Sequence, residues 1–453
     1  MKSVTRTLAG FAANVQYEAL EKALVLHFKK HLLDAIGCGL HGASQPCARI
    51  VNEYIRKQRG KKEATLWRQR FQGPSANVAL GLGVMIHSFD FDDYHNAKIH
   101  PGAPVIPAAV AIGESVGASG KAVIAAMVAG YETMIRVSLA TGPNASRLKG
   151  WHLTGTTGTF GAAAAAGNLL GLNGEQMASA LGMAGTQSAG LWAFTADGAM
   201  SKRFHPGRAS QSGVMAALLA RKGFKGPTQI LEAADGGFCK ATSDQVDLSL
   251  ITEGLGTKFL CRDVNIKPYA CCASSHSAID AVFELRKKHR FAPSAVERIR
   301  VKTAEGVKLQ CGFEYRAMGV VQAQMSLQYI VAVSLLDGAA LLGQFSETRI
   351  SEPQVMALAK RVEVVTDPEM DKLYPGRYAN KVEIFLKGGQ RFEARIDFAR
   401  GSVESPMGFS EIAGKFRSLA GPVIAEDRVD DLIKTVEGLE LLDDIRELTR
   451  LLA

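Results

Sequence analysis

Paired cysteines of the kind a disulfide framework or a zinc site needs are missing from this 453-residue chain. There are seven cysteines; Cys38, Cys47, Cys239, Cys261 and Cys311 stand apart, Cys271 and Cys272 are adjacent, and no C-x-x-C or zinc-like Cys/His spacing occurs. Reduced thiols in a cytoplasmic protein are the expectation. The stretch Met1 to Asn14 lacks a continuous apolar core followed by a small-residue cleavage site, so no secretory leader is expected. Also missing are a G-x-G-x-x-G turn after a strand, a P-loop and a G-x-S-x-G elbow, which removes most of the case for nucleotide chemistry and serine hydrolysis. Low-complexity tracts and internal repeats are absent, and 47% hydrophobic with 21% charged residues is ordinary for a soluble globular protein. The uncharged run from Leu153 to Asn173 is long enough to span a bilayer but is built mostly of Gly, Ala and Thr. It reads as a tightly packed soluble helix, and no membrane partner is expected. The net charge of +9 comes from basic residues read as spread among acidic neighbours, with no basic block interleaved with aromatics. No nucleic-acid partner is therefore expected. An anionic small substrate suits such a field, and so does inert surface charge.

What the chain does have is titratable chemistry in one place. From His87 to Gly102, sixteen residues hold Asp90, Asp92, Asp93, His87, His95, His100 and Lys98, and then run into an apolar segment from Val105. Carboxylate and imidazole are metal ligands, yet H-E-x-x-H and other recognised metal spacings are absent. Acid–base work or substrate hydrogen bonding fits better, and no metal is expected. A second island, Gly150-Trp-His152-Leu-Thr154, precedes the small-residue helix; His152 there could face an anion or simply cap and pack beside Trp151. The third gathers Lys202, Arg203 and His205, able to hold carboxylates or developing charge, or to form a solvated basic face. The fourth runs from Lys267 through Tyr269 to His276. The fifth is Tyr329 on an apolar helix, equally readable as a core tyrosine.

The periodicity divides the chain. From about residue 16 to 260 apolar residues recur at spacings of three and four, as in Ala23-Leu24, Phe28, Leu32-Leu33 and Ile36, which predicts helices. Beyond residue 259 alternation predicts strands at Ile299–Thr303, Val382–Leu386 and Phe392–Ile396, with a turn at Gly388-Gly389. Helices are expected at about Ser277–His289 and Met325–Leu341, and again after Gly401, where Glu426–Asp431 reads as a solvated helix start. The expected fold is mainly α: an all-helical domain from residues 1–264 and 401–453, with an inserted α+β domain at 265–400 containing an antiparallel sheet.

Together the five islands resemble the MmgE/PrpD family. The residues carrying the resemblance are Asp90-Phe-Asp-Asp93 with His100-Pro-Gly102; Gly150-Trp-His152-Leu-Thr154 leading to Phe160–Ala166; Lys202-x-x-His205-x-Gly207; Lys267-Pro-Tyr269 leading to His276 and Asp280; and Ser326-x-x-Tyr329. The resemblance implies a helical domain with a smaller α+β lid, an active site between them, a homodimer, and no metal or other cofactor. It implies chemistry beside a carboxylate of a small polycarboxylic acid. A hydro-lyase of the 2-methylcitrate dehydratase type is expected first; a cis-aconitate type decarboxylase or an epimerase is the alternative, and a non-catalytic binder of small acids comes last. Carried over residue by residue, Asp90, His100, His152, Lys202 and Tyr329 correspond to catalytic positions, and Tyr94, His205, Lys267 and His276 to substrate-binding ones. Lys202 and Lys267 would oppose carboxylate charge, His152 would transfer the proton, and Asp90 with His100 would be the opposing acid or its orienting partners. Two positions depart from the pattern. Tyr94 stands where members using tricarboxylates commonly carry Thr, and Ala273 where many carry Arg, so a reshaped pocket for a different or smaller acid than 2-methylcitrate is expected.

Overall fold

A computed structural model describes residues 3–196 and 198–453 of the chain. It forms two compact units, Met1–Val264 with Gly408–Ala453, and Asn265–Met407.

The first unit is helical, and its centre is built from residues too small to keep helices apart. In helix Leu153–Leu169 every residue from Leu153 to Gly167 is buried. A Cβ placed on Gly161 would lie 2.8 Å from the carbonyl oxygen of Gly130, in helix Gly120–Ala140. One on Gly213 of helix Ser201–Arg221 would lie 2.6 Å from Ala162 Cβ, and one on Gly83 of helix Ser75–Ile86 would lie 2.6 Å from Gly207 Cα. Main chains thus pack directly on main chains, which fixes whatever side chains leave these helices at their ends. Helix Gly120–Ala140 is long and apolar enough to cross a membrane, but 89% of its apolar window is buried inside the protein, as in a core helix. Near the end of the chain, helix Phe409–Ala420 lays Ile412, Phe416 and Leu419 on one stripe, and Phe416 and Leu419 meet Gly37 of helix Lys22–Gly42.

A short antiparallel hairpin, β1 (Ala64–Leu66) and β2 (Phe71–Gly73), escaped the sequence reading. The even spread expected of basic residues also fails beside it. Arg56 to Arg70 carries seven cations and one carboxylate, and Arg59, Lys61, Lys62 and Arg70 share with Arg446 and Arg450 the lining of a cavity of about 880 Å³.

The second unit carries a four-stranded sheet of β3 (Val296–Thr303), β4 (Val362–Thr366), β5 (Asn380–Leu386) and β6 (Arg391–Ile396), in the order β4-β3-β5-β6. Helix His276–His289 packs on β5 and β6. The β3–β5 and β5–β6 pairs are antiparallel as expected, but β4 runs parallel to β3 with Val301 opposite Val364, so the sheet is mixed. The parallel neighbour needs a long crossover, which the helical segment between Thr303 and Val362 supplies. The fold is mainly α with a small sheet, as the periodicity predicts.

Candidate active site

The loop joining helices Ser75–Ile86 and Gly102–Val116 holds the first island, and buried polar groups fasten it from below. The Asp93 carboxylate accepts from the Gly102 amide at 2.9 Å and from the Tyr131 hydroxyl at 2.8 Å, and lies 2.9 Å from His31 Nδ1. Lys415, on helix Phe409–Ala420, donates to the Phe91 carbonyl at 2.7 Å, stands over the Phe91 ring at 3.9 Å and pairs with buried Asp34. The Ser138 hydroxyl donates to the Ala97 carbonyl at 2.9 Å, and the His100 amide donates to Thr154 Oγ1 at 3.1 Å. Held this way, the loop places Asp90 at φ +59° and Lys98 at φ +59°, a left-handed backbone costing about 1 kcal/mol per residue.

On this frame the charged groups converge. Lys202 Nζ donates to Asp90 Oδ1 at 3.3 Å, and His100 Nε2 lies 4.0 Å from the same oxygen. His100 Nδ1 stands 2.7 Å from the Asp93 carbonyl. A carbonyl can only accept, so Nδ1 carries a proton and Nε2 is the nitrogen turned toward Asp90. His87 Nδ1 lies 2.8 Å from Asp92 Oδ2, and the His87 and His100 rings meet edge to face at 4.8 Å. His87, Asp92 and His100 each bring one possible ligand atom within 4.8 Å of the others, so these three could hold a divalent ion. The His87–Asp92 contact and the His100–Asp93 bond engage the Nδ1 atom of each ring, while His87 Nε2 is buried without a hydrogen-bond partner among the described residues.

His152 enters from the start of helix Leu153–Leu169, and its side chain does not cap that helix. It is 2% exposed, enclosed by His87, by Trp192 and Phe194 at 5.4 Å each, and by His205, whose Nδ1 lies 2.9 Å from its own Nδ1. The segment carrying the two aromatics is tied to His152 by its own backbone. The His152 amide donates to the Gly190 carbonyl at 3.0 Å, the Trp192 amide donates to the Gly150 carbonyl at 2.7 Å, and the Arg147 guanidinium stacks on Trp192 at 3.8 Å. Burial pushes the His152 pKa well below its ordinary value, with His87 and Lys202 adding to the shift. Burial likewise lowers His87 against the opposing pull of Asp92, and lowers His205 to about 4. His87, His152 and His205 are therefore neutral imidazoles near neutral pH. Asp93 goes the other way: burial, reinforced by Asp92, raises it to about 7.

Asp90, His100, His152, Lys202 and His205 thus come together in the helical unit, and Tyr94 is half-buried on the same loop. Lys267, His276 and Tyr329 belong to the α+β unit. Lys267 is 2% exposed there, and His276 Nε2 lies 3.2 Å from the Cys271 carbonyl. The Tyr329 hydroxyl is engaged with the Gln344 carbonyl in the unit's core. Residues missed from sequence include His31, Tyr131 and Lys415, whose buried polar side chains look like any surface group until the fold is known. Trp192 and Phe194 had a weak signal, two aromatics close together in a glycine-rich stretch.

Comparison with known proteins agrees with the motifs. The chain matches the MmgE/PrpD N-terminal domain model over residues 6–251 and the MmgE/PrpD C-terminal domain model over residues 269–441. It is 30% identical to a cis-aconitate decarboxylase of Aspergillus terreus, covering 99% of this chain and 96% of the relative. The cis-aconitate decarboxylase of Mus musculus is 29% identical, over 100% of this chain and 94% of its own length. A 2-methylcitrate dehydratase of Cupriavidus necator is 24% identical over 83% and 80%, respectively.

Proposed function

Since the chain belongs to the MmgE/PrpD family, we propose that it is a cofactor-independent lyase that removes carbon dioxide from cis-aconitate or a closely similar unsaturated tricarboxylate. The observation that carries this reading is the contrast between relatives: the decarboxylases match along the whole chain and at higher identity than the dehydratases. Dehydration, expected first from the motifs, gives way to its alternative.

Decarboxylation of such an acid asks for two things. The electron pair left by the departing carboxylate moves through the neighbouring double bond onto the carbon beside another carboxylate, and a proton must then reach that carbon to complete methylenesuccinate. Lys202, held by Asp90, is assigned to the carboxylate on which charge accumulates, since a fixed cation in a site sheltered from water stabilises that charge far more than bulk solvent does. His152 is assigned the proton. As a buried neutral imidazole it carries one N–H and can serve as an acid without first becoming a cation. His100 closes the polar wall beside Asp90, and Tyr94 shapes acid size. On the family resemblance, Lys267 and His276 are assigned to further carboxylates; the engaged hydroxyl of Tyr329 supports no donor role.

The test is to incubate purified protein with cis-aconitate in deuterated buffer and follow the acids by mass spectrometry. Release of carbon dioxide with one deuterium entering carbon is the expected result. Loss of water from a hydroxylated tricarboxylate, with cis-aconitate left intact, would overturn the reading in favour of a dehydratase.

A further inference from the structure

Each decarboxylation of a tricarboxylate trianion to a dicarboxylate dianion and carbon dioxide consumes one proton from solvent. The group assigned to deliver it, His152, is 2% exposed and walled in by His87, Trp192 and Phe194. Its remaining ring neighbour is His205, half-buried on helix Ser201–Arg221, one turn after Lys202. The two rings meet through like atoms, Nδ1 to Nδ1 at 2.9 Å. A hydrogen bond between two such nitrogens holds one proton: one ring donates and the other must be bare at Nδ1. The tautomer of His205 therefore dictates that of His152.

We propose that His205 is not a substrate-binding residue but acts through His152, holding it as the Nε2–H tautomer that can protonate carbon and replacing the proton it gives up. This inference rests on the decarboxylase reading. In the resting pair His205 donates its Nδ1–H to the bare Nδ1 of His152, which then carries its own proton on Nε2. As the C–C bond breaks and the electron pair arrives at the acceptor carbon, a new C–H bond forms with the Nε2 proton of His152. The Nδ1 proton of His205 crosses to His152, so no imidazolate is left in a buried site, and the bare Nε2 of His205 takes a proton from water. Once the product leaves, water entering the vacated substrate space returns a proton to His152 Nε2 as His205 Nε2 releases one to solvent, without net uptake, and the pair returns to its starting tautomer.

Several features support this role. Both rings are held neutral near neutral pH, His152 by burial with His87, Lys202, His205 and His100 around it, and His205 by burial and His87. Two glycines also clear space for the His205 ring. A Cβ on Gly190 would sit 3.3 Å from its Nδ1, at a φ of +132° that favours glycine, and one on Gly155 would sit 3.1 Å from its Cβ. The same Gly190 accepts the His152 amide hydrogen bond, so one residue fixes both partners.

The experiment compares wild type with His205→Ala and His205→Asn on cis-aconitate, with and without added imidazole or N-methylimidazole. General acid catalysis contributes about 100- to 10,000-fold, and a fall in kcat of about 100-fold with KM near the wild-type value is expected in both variants. Asn keeps a nitrogen where Nδ1 was but has no second nitrogen for water, so it preserves packing and should lose the same function. Imidazole should restore turnover to His205→Ala; N-methylimidazole, which cannot carry a proton through, should not. A raised KM with kcat kept would return His205 to substrate binding and overturn the proposal, as would equal rescue, or no rescue, by the two imidazoles. If the wild type itself releases no carbon dioxide, the decarboxylase reading fails before His205 is tested.

Discussion

Lys202 and Asp93 show how differently two charged residues of one site can be expected to behave. Lys202 is 19% exposed along its side chain and faces Asp90, so replacing it should leave the fold alone and remove charge stabilisation. The loss of one preorganised donor costs about 100- to 1,000-fold in rate, and Lys202→Ala should lose kcat on that scale while its circular dichroism stays that of wild type. Asp93 is wholly buried and its carboxyl is raised to about 7 from an ordinary value of 3.8. Over that window the folded chain binds a proton that the unfolded chain has lost, so the unfolded state binds fewer protons and stability falls as pH rises. Asp34, raised to about 6 by burial against the pull of Lys415, acts in the same direction. The histidines buried as neutral rings act in the opposite sense, since the unfolded chain protonates them first, so the contribution of Asp93 is read as a difference: the melting temperature of Asp93→Asn, which has no proton to lose, should rise relative to that of wild type between about pH 4 and pH 7.

Among the helices, the glycine contacts carry the most exposed prediction. Gly161→Val would drive a side chain into the Gly130 carbonyl, main chain that cannot swing aside, and overpacking of this kind costs about 1–3 kcal/mol or more. Urea denaturation should report that loss, whereas Gly10→Ala, with nothing near its added Cβ and a helical backbone, should gain about 0.4–1 kcal/mol. These elements were also the most legible in sequence. Leu153–Leu169 and Glu426–Glu437 follow directly from composition, and β5 and β6 from alternation around Gly388-Gly389. β4 was not legible because Val362–Thr366 is five residues lying at a sheet edge, behind a helix whose apolar spacing runs into it. The site was legible where chemistry is dense in sequence, around Asp90, His152 and Lys202. Its supports were not: Lys415 is separated from Phe91 by most of the chain, and only the packing of helix Phe409–Ala420 on helix Lys22–Gly42 brings them together.

At the scale of the whole chain, a net charge of +9 facing the tricarboxylate proposed as substrate should speed encounter more than chemistry. Raising ionic strength should lower kcat/KM for cis-aconitate while kcat holds nearly constant, because screening weakens the approach of the trianion and leaves short contacts inside the site in place. The Lys415 to Phe91 hydrogen bond has a consequence of a different kind. A ribosome builds this chain from its amino end, and the loop bearing Asp90 and His100 emerges more than three hundred residues before the lysine that fastens it. The whole Asn265–Met407 unit must be made in between, with time to fold as a body of its own while the first stretch of the helical unit still lacks its closing helix. Competence for catalysis is thus deferred to the last moments of synthesis, and a nascent chain stalled short of Lys415 would hold most of its helices but not yet a finished centre.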